Sequence, residues 1–130
     1  MYIYLITPYS AVDQYVEEER FEAAVEACVH LMNWGVEVYS PIVHWHVPYR
    51  KALDSGFKWT GDYRFFKEQN TTMIAGCRQA WVATIPGYKE SFGVQDDLAE
   101  AGRCSRDSYY LNFERLVKGE DPWKLLSSTP

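Results

Sequence analysis

Cysteine is scarce in this sequence of 130 residues. There are three, Cys28, Cys77 and Cys104, widely spaced and without a C-x-x-C pair. An odd, scattered set favours neither a disulfide framework nor a zinc site, so a reducing, cytoplasmic compartment is expected. Basic charge is also short: 13 Lys and Arg stand against 18 Asp and Glu, a net charge of −5. That argues against the basic face that a nucleic-acid polymer needs, while leaving room for a small ligand held by one or two cations. No long apolar run occurs, and Met1 to Ile6 has no basic n-region, so neither a signal peptide nor a membrane span is expected. Repeats, low-complexity stretches and linkers are absent, and the length suits one domain over residues 1–130. Aromatic residues, by contrast, reach 16%, ten of them tyrosines. Such rings build walls that are apolar yet able to hydrogen-bond.

Hydrophobic periodicity orders the chain. Tyr2 to Ile6 is an unbroken apolar run ending at Thr7-Pro8, the pattern of a buried parallel strand. A helix is expected from Asp13 to Trp34, with Phe21, Ala24, Val25, Cys28, Leu31 and Met32 as its apolar stripe and Gly35 as its terminator. Glu17, Glu18, Glu19 and Glu22 crowd its first half and read as a solvated face. Val36 to Tyr39 reads as a second strand, Ser40 to Pro48 as a loop, and Tyr49 to Gly61 as a segment without clear period. A helix over Asp62–Gly76, a strand over Ala80–Ile85, a helix over Gly93–Arg103 and a strand over Ser108–Asn112 follow, with a terminal helix from Phe113 to Leu126 and a tail. Alternating strands and helices imply an α/β, Rossmann-like (flavodoxin-like) fold: a mainly parallel sheet of about four or five strands flanked by helices. Ligands of such sheets sit beyond the carboxyl ends of the strands. Thr7 to Ser10, Ser40 to His46 and Pro86 to Gly93 therefore surround one crevice.

The most informative segment is Ser91-x-Gly93-Val94-x-x-Asp97-x-Ala99-x-Ala101, which opens a helix after a strand and loop. Two readings stand side by side. Ser91 caps the helix and the acids favour its dipole; or Gly93 admits a ligand to the backbone and Asp97, a turn in, points back to the crevice. Arg20 either pairs with a nearby Glu or reaches the crevice to steady a phosphate. Tyr9 either stacks on a base or packs its loop, while Trp45, Trp59, Phe65 and Phe66 suit core or lid. His44 and His46 share a side if the chain is extended. A metal would need a third ligand, and none is evident, so neither metal nor other cofactor is expected.

The segment resembles the signature of the nucleoside 2-deoxyribosyltransferase-like superfamily. The Ser and Gly-Val variant is similar to the 2′-deoxynucleoside 5′-phosphate N-hydrolases, and the whole chain is most similar to the DUF1937 family, an uncharacterised bacterial and phage branch. Tyr4 to Ser10, Arg20 to Ala24, Gly35 to His46, Trp81-Val82 and Pro86 to Tyr88 match in order and spacing, and Asp62 and Asn70 fall at positions that are acidic in the family. The resemblance implies a carboxylate, here Asp97, that attacks the anomeric carbon of a deoxyribose, and a second acid such as Asp62 or a His that protonates the departing base. It implies substrate binding by Tyr9, Ser10, Arg20, His44, His46, Asn70, Ser91, Gly93 and Val94, and a homo-oligomer whose copies complete one another's pockets. Three departures stand out. Asp97 replaces Glu and loses about 1.5 Å of reach, Asn70 replaces Asp, and Arg78 replaces an acid. The expected function is thus N-glycosidic cleavage or transfer on a nucleoside or nucleoside monophosphate. The alternative is a catalytically impaired nucleotide-binding protein of the same fold.

Overall fold

Apolar strands that alternate their side chains between two helix layers fix the architecture. The computed structural model describes residues 1–56 and 63–130, with the side chains of 63–65 excepted. Strand β1 (Ile3–Ile6) leads into helix α1 (Gln14–Asn33), strand β2 (Val38–Tyr39) and helix α2 (Pro41–Asp54). Helix α3 (Tyr63–Gly76), strand β3 (Gln79–Ala83), helix α4 (Phe92–Arg103) and strand β4 (Ser108–Leu111) follow. A single turn of helix α5 (Phe113–Leu116), a short 3₁₀ turn and strand β5 (Leu126–Ser127) complete the described chain. The sheet order is β2-β1-β3-β4-β5; the first four strands are parallel and β5 runs antiparallel to β4.

Period-two alternation divides the core. Ile3 and Leu5 of β1 join Trp81 and Ala83 of β3 under α1, where they meet Ala27, Cys28 and Leu31. Tyr4 and Ile6 join Ala80 and Val82 on the other face, with Ile74 of α3 and Val94 and Ala101 of α4. The result is the doubly wound α/β arrangement expected of the alternating pattern. Its direction of winding changes between β1 and β3, where a crevice opens.

Local chemistry explains the element ends. Asp13 caps α1 by accepting the Tyr15 N–H at 2.8 Å, and Gly35 supplies the φ of +76° that lets the chain leave the helix. Met32, expected on the apolar stripe, is instead 61% exposed, because the buried stripe runs through Ala24, Ala27, Cys28 and Leu31.

Two expectations are corrected. The segment after β2 is not a loop: Ser40 accepts the Val43 N–H at 3.1 Å and Pro41 occupies the first turn, so α2 starts there and runs through Pro48 to Asp54. The terminal helix to Leu126 is not formed either. Asn112 caps only one turn, Asp121-Pro122 starts a 3₁₀ turn, and the chain returns so that Leu126 pairs with Leu111.

The difference between Leu31 and Met32 is measurable by urea denaturation. Leu31→Ala, which empties core space, is expected to cost about 2–5 kcal/mol, whereas Met32→Ala costs about 0.5 kcal/mol or less. Equal losses at the two positions would contradict the observed facing of α1.

Candidate active site

The crevice at the carboxyl ends of β1 and β3 holds a cavity of about 930 Å³. Its lining comes from the turn after β1, from α1, α2 and α3, and from the loop that runs from Gly87 into α4. Asp97 lies on its wall. The residue sits three positions after Val94 and four before Ala101, both fully buried, so it belongs to the inward stripe of α4.

Two neighbours hold its carboxyl. The Tyr4 hydroxyl, carried by the fully buried ring of a central strand, donates to Asp97 Oδ2 at 3.1 Å. The Asn70 side chain, from α3, is its second hydrogen-bond partner. Burial pushes the Asp97 pKa up to about 7, and the charges of Asp96 and Glu100 push the same way, against the pull of the Tyr4 and Asn70 hydrogen bonds. Burial, reinforced by the Asp97 charge, also drives the Tyr4 hydroxyl well above its usual range, so it remains a donor. Asp96 itself pairs with Lys67 at 3.2 Å.

An aromatic cluster lines the same cavity. Tyr9 meets Trp45 edge-on at 4.8 Å between centroids, Trp45 lies 4.6 Å from Phe66, and Tyr49 stands perpendicular to Trp45 at 5.8 Å. Arg20 reaches the cavity: its Nη1 donates to the Ser10 carbonyl at 2.8 Å, and its guanidinium lies against Gly87. Gly87, at φ +100°, is a position where a Cβ would be strained and would run into that guanidinium. Among the described residues Arg20 has no ion-pair partner. The Thr7 hydroxyl, buried at the end of β1 and lining the same cavity, has no hydrogen-bond partner among them either.

Of the residues singled out in the sequence, Asp97, Tyr9, Ser10, Arg20, Asn70, Ser91 and Gly93 all line this cavity. Ser91 also caps α4, accepting the Val94 N–H at 3.2 Å, so the capping reading and the lining position coexist. Val94 is core and does not line the cavity. His44 and His46 do not line it and do not share a side, because α2 is helical and places them about 200° apart. His44 packs beside Tyr39, and His46 is buried against Phe21. Asp62 lies outside the described residues.

Sequence reasoning missed Tyr4, read only as strand core, and Glu17, read as solvated. The Glu17 side chain is 17% exposed; it accepts the Ala11 N–H at 3.3 Å and pairs with Arg50 at 3.4 Å. Its position in the first turn of a helix that follows a crevice loop was the available signal. Among the described residues no group of three or more His, Cys, Asp or Glu side chains is placed to hold a metal, and no helix is long and apolar enough to cross a membrane.

Residues 1–110 match the model of a family described as a domain of unknown function, DUF1937. The protein belongs to the DUF1937 family. No curated protein matches it. The DUF1937 match spans both walls of the cavity and stops within β4, leaving α5, the 3₁₀ turn and β5 outside it.

The buried carboxyl gives the fold a pH signature. Because the folded-state pKa of about 7 exceeds the usual 3.8, the folded chain holds more protons than the unfolded chain between those values. The Asp97 contribution to stability is therefore present below about pH 4 and is lost as pH rises through about 7. Denaturation at two pH values tests this: Asp97→Asn is expected to match the parent near pH 4 and exceed it by roughly 2–4 kcal/mol near pH 8. A variant offset that is the same at both values would rule out the raised pKa.

Proposed function

We propose that this protein binds a nucleoside or nucleoside monophosphate and cleaves or transfers its N-glycosidic bond, with the Asp97 carboxylate as nucleophile. The observation that carries the reading is a part-buried carboxyl, held by Tyr4 at 3.1 Å, lining a cavity that an aromatic cluster also lines. A sugar against the acid and a base against the rings fit that division. The resemblance of the Ser91–Ala101 segment to the nucleoside 2-deoxyribosyltransferase-like signature supports the same assignment.

In this reading an Asp97 oxygen attacks the anomeric carbon as the C–N bond breaks, and the bonding pair leaves with the base. The base gains a proton from a second acid, a role assigned to Asp62 on the resemblance alone. Water, or a second base, then displaces the carboxylate from the sugar ester. Tyr4 and Asn70 orient the carboxylate for attack. Arg20, a cation on the cavity wall, suits a 5′-phosphate. Self-association belongs to the same proposal, since Val12, beside the cavity-lining Ala11, and Phe92, itself a lining residue, are 109% and 73% exposed and offer apolar surface to a second copy.

A second reading, a binding protein that has lost the chemistry, is favoured by one observation: the carboxylate at position 97 is one methylene shorter than the Glu of the signature. Base release from a panel of deoxynucleosides and their monophosphates separates the two. Under the first reading free base appears, Asp97→Ala lowers the rate at least about a thousandfold, and the single-turnover rate rises with pH to a plateau above about pH 7 as Asp97 ionises. Calorimetric binding without release would establish the second. Neither binding nor release would overturn both.

A further inference from the structure

Four acids and two cations are among the described lining residues of the cavity. Glu17 pairs with Arg50 at 3.4 Å, Asp96 pairs with Lys67 at 3.2 Å, Asp97 is held by Tyr4 and Asn70, and Glu90 is exposed to solvent. Of the cations, Lys67 therefore already faces an acid. Arg20 does not. Among the described residues only its Nη1 is hydrogen-bonded, to the Ser10 carbonyl at 2.8 Å and the Tyr9 carbonyl at 3.4 Å. Those two contacts tie the guanidinium to the turn after β1. They leave Nε and Nη2, the planar pair of donors that suits a phosphate, unengaged among these residues.

Gly87 bounds the guanidinium from the other side. A Cβ at that position would stand 3.0 Å from Arg20 Cζ and 3.3 Å from Nε, and nearer still to Nη2. The arginine tip is the flexible partner in this contact, so any side chain at position 87 would push it off its seat. We infer that Gly87 is a positioning residue for Arg20: its lack of a side chain seats the guanidinium on the cavity lining with two donors unengaged, and Arg20 so placed selects nucleoside 5′-monophosphates over nucleosides. The inference rests on the nucleotide reading given above and adds to it a preference within that class and the residue that sets it. A phosphate monoester carries about two negative charges near pH 7 and offers strong acceptors, whereas a nucleoside has a neutral hydroxyl in the same place.

Calorimetry in the Asp97→Asn background, which lacks the proposed nucleophile, compares each of the four common deoxynucleosides with its 5′-monophosphate. The best-bound monophosphate is expected to bind at least about thirtyfold more tightly than its nucleoside. Arg20→Gln and Gly87→Ala are each expected to cut that ratio to about threefold or less, and the double variant to cut it no further. Gly87→Asn, which brings the same Cβ but tolerates a positive φ better, is expected to act like Gly87→Ala. Backbone strain alone would weaken nucleoside and monophosphate alike and leave the ratio intact. Equal binding of nucleosides and monophosphates, or a ratio that survives either Gly87 variant, would overturn the role of Gly87 and leave the proposed function standing. Should neither Gly87 variant fold, an unchanged ratio in Arg20→Gln overturns it as well. Failure of every nucleoside and monophosphate to bind, whether or not inorganic phosphate alone binds, would remove both.

Discussion

Tyr4 and Asp97 are separated by 93 positions in the chain, and their contact is where sheet, helix layer and cavity meet. It requires β1 to be central, so that the Tyr4 ring is wholly enclosed while its hydroxyl reaches the crevice. It requires α4 to dock through Val94 and Ala101, so that Asp97, which lies between them on the same stripe, also faces inward. A carboxyl in such a place is costly to ionise without donors. Tyr4 and Asn70 supply them, yet burial still outweighs both, and the group is left balanced between its two protonation states near neutrality. A side chain so placed can act as nucleophile in one state and proton donor in the other.

The second wall depends on different physics. Ionic and hydrogen-bonded contacts tie α1 to α2 through Glu17, Glu18, Arg50 and His46, and the aromatic ring cluster stands on that frame. Arg20 spans the gap between walls, from α1 to the loop that leads into α4. Gly87 leaves room for that side chain, which a Cβ in its place would meet.

Much of the fold was legible in the sequence, and particular residues explain where legibility stopped. The buried strands declared themselves through continuous apolar runs, and α1 through Asp13 and Gly35 at its ends. Helix α2 was hidden because His44, Val43, Val47 and Pro48 weaken the helical period, although Ser40-Pro41 carried a start signal. The short return strand was hidden because its pairing with β4 is a tertiary event that no local pattern announces. At the site, Asp97 was found by its spacing, whereas Tyr4 reads like any core aromatic and Glu17 like any acid in a first turn. Those two acquire their meaning only when the β1–α1 turn folds against α4 and α2. The two histidines failed for the converse reason: a pattern read in an extended chain dissolves once the segment winds into a helix.

The return strand has a consequence of its own. By pairing with Tyr110 and Leu111, the Leu126–Ser127 segment caps one border of the sheet, and the opposite border, β2, is only two residues long. Neither side thus presents a long ladder of unpaired amides to a neighbouring chain, a common template for aggregation. The same tail delivers Leu116 and Leu125 to the core and lays Trp123 edge-on against Trp81. A piece cut where the DUF1937 match ends would uncover Trp81 and leave β4 without its β5 partner, so the boundary of family likeness and the boundary of a well-covered folding unit do not coincide in this chain.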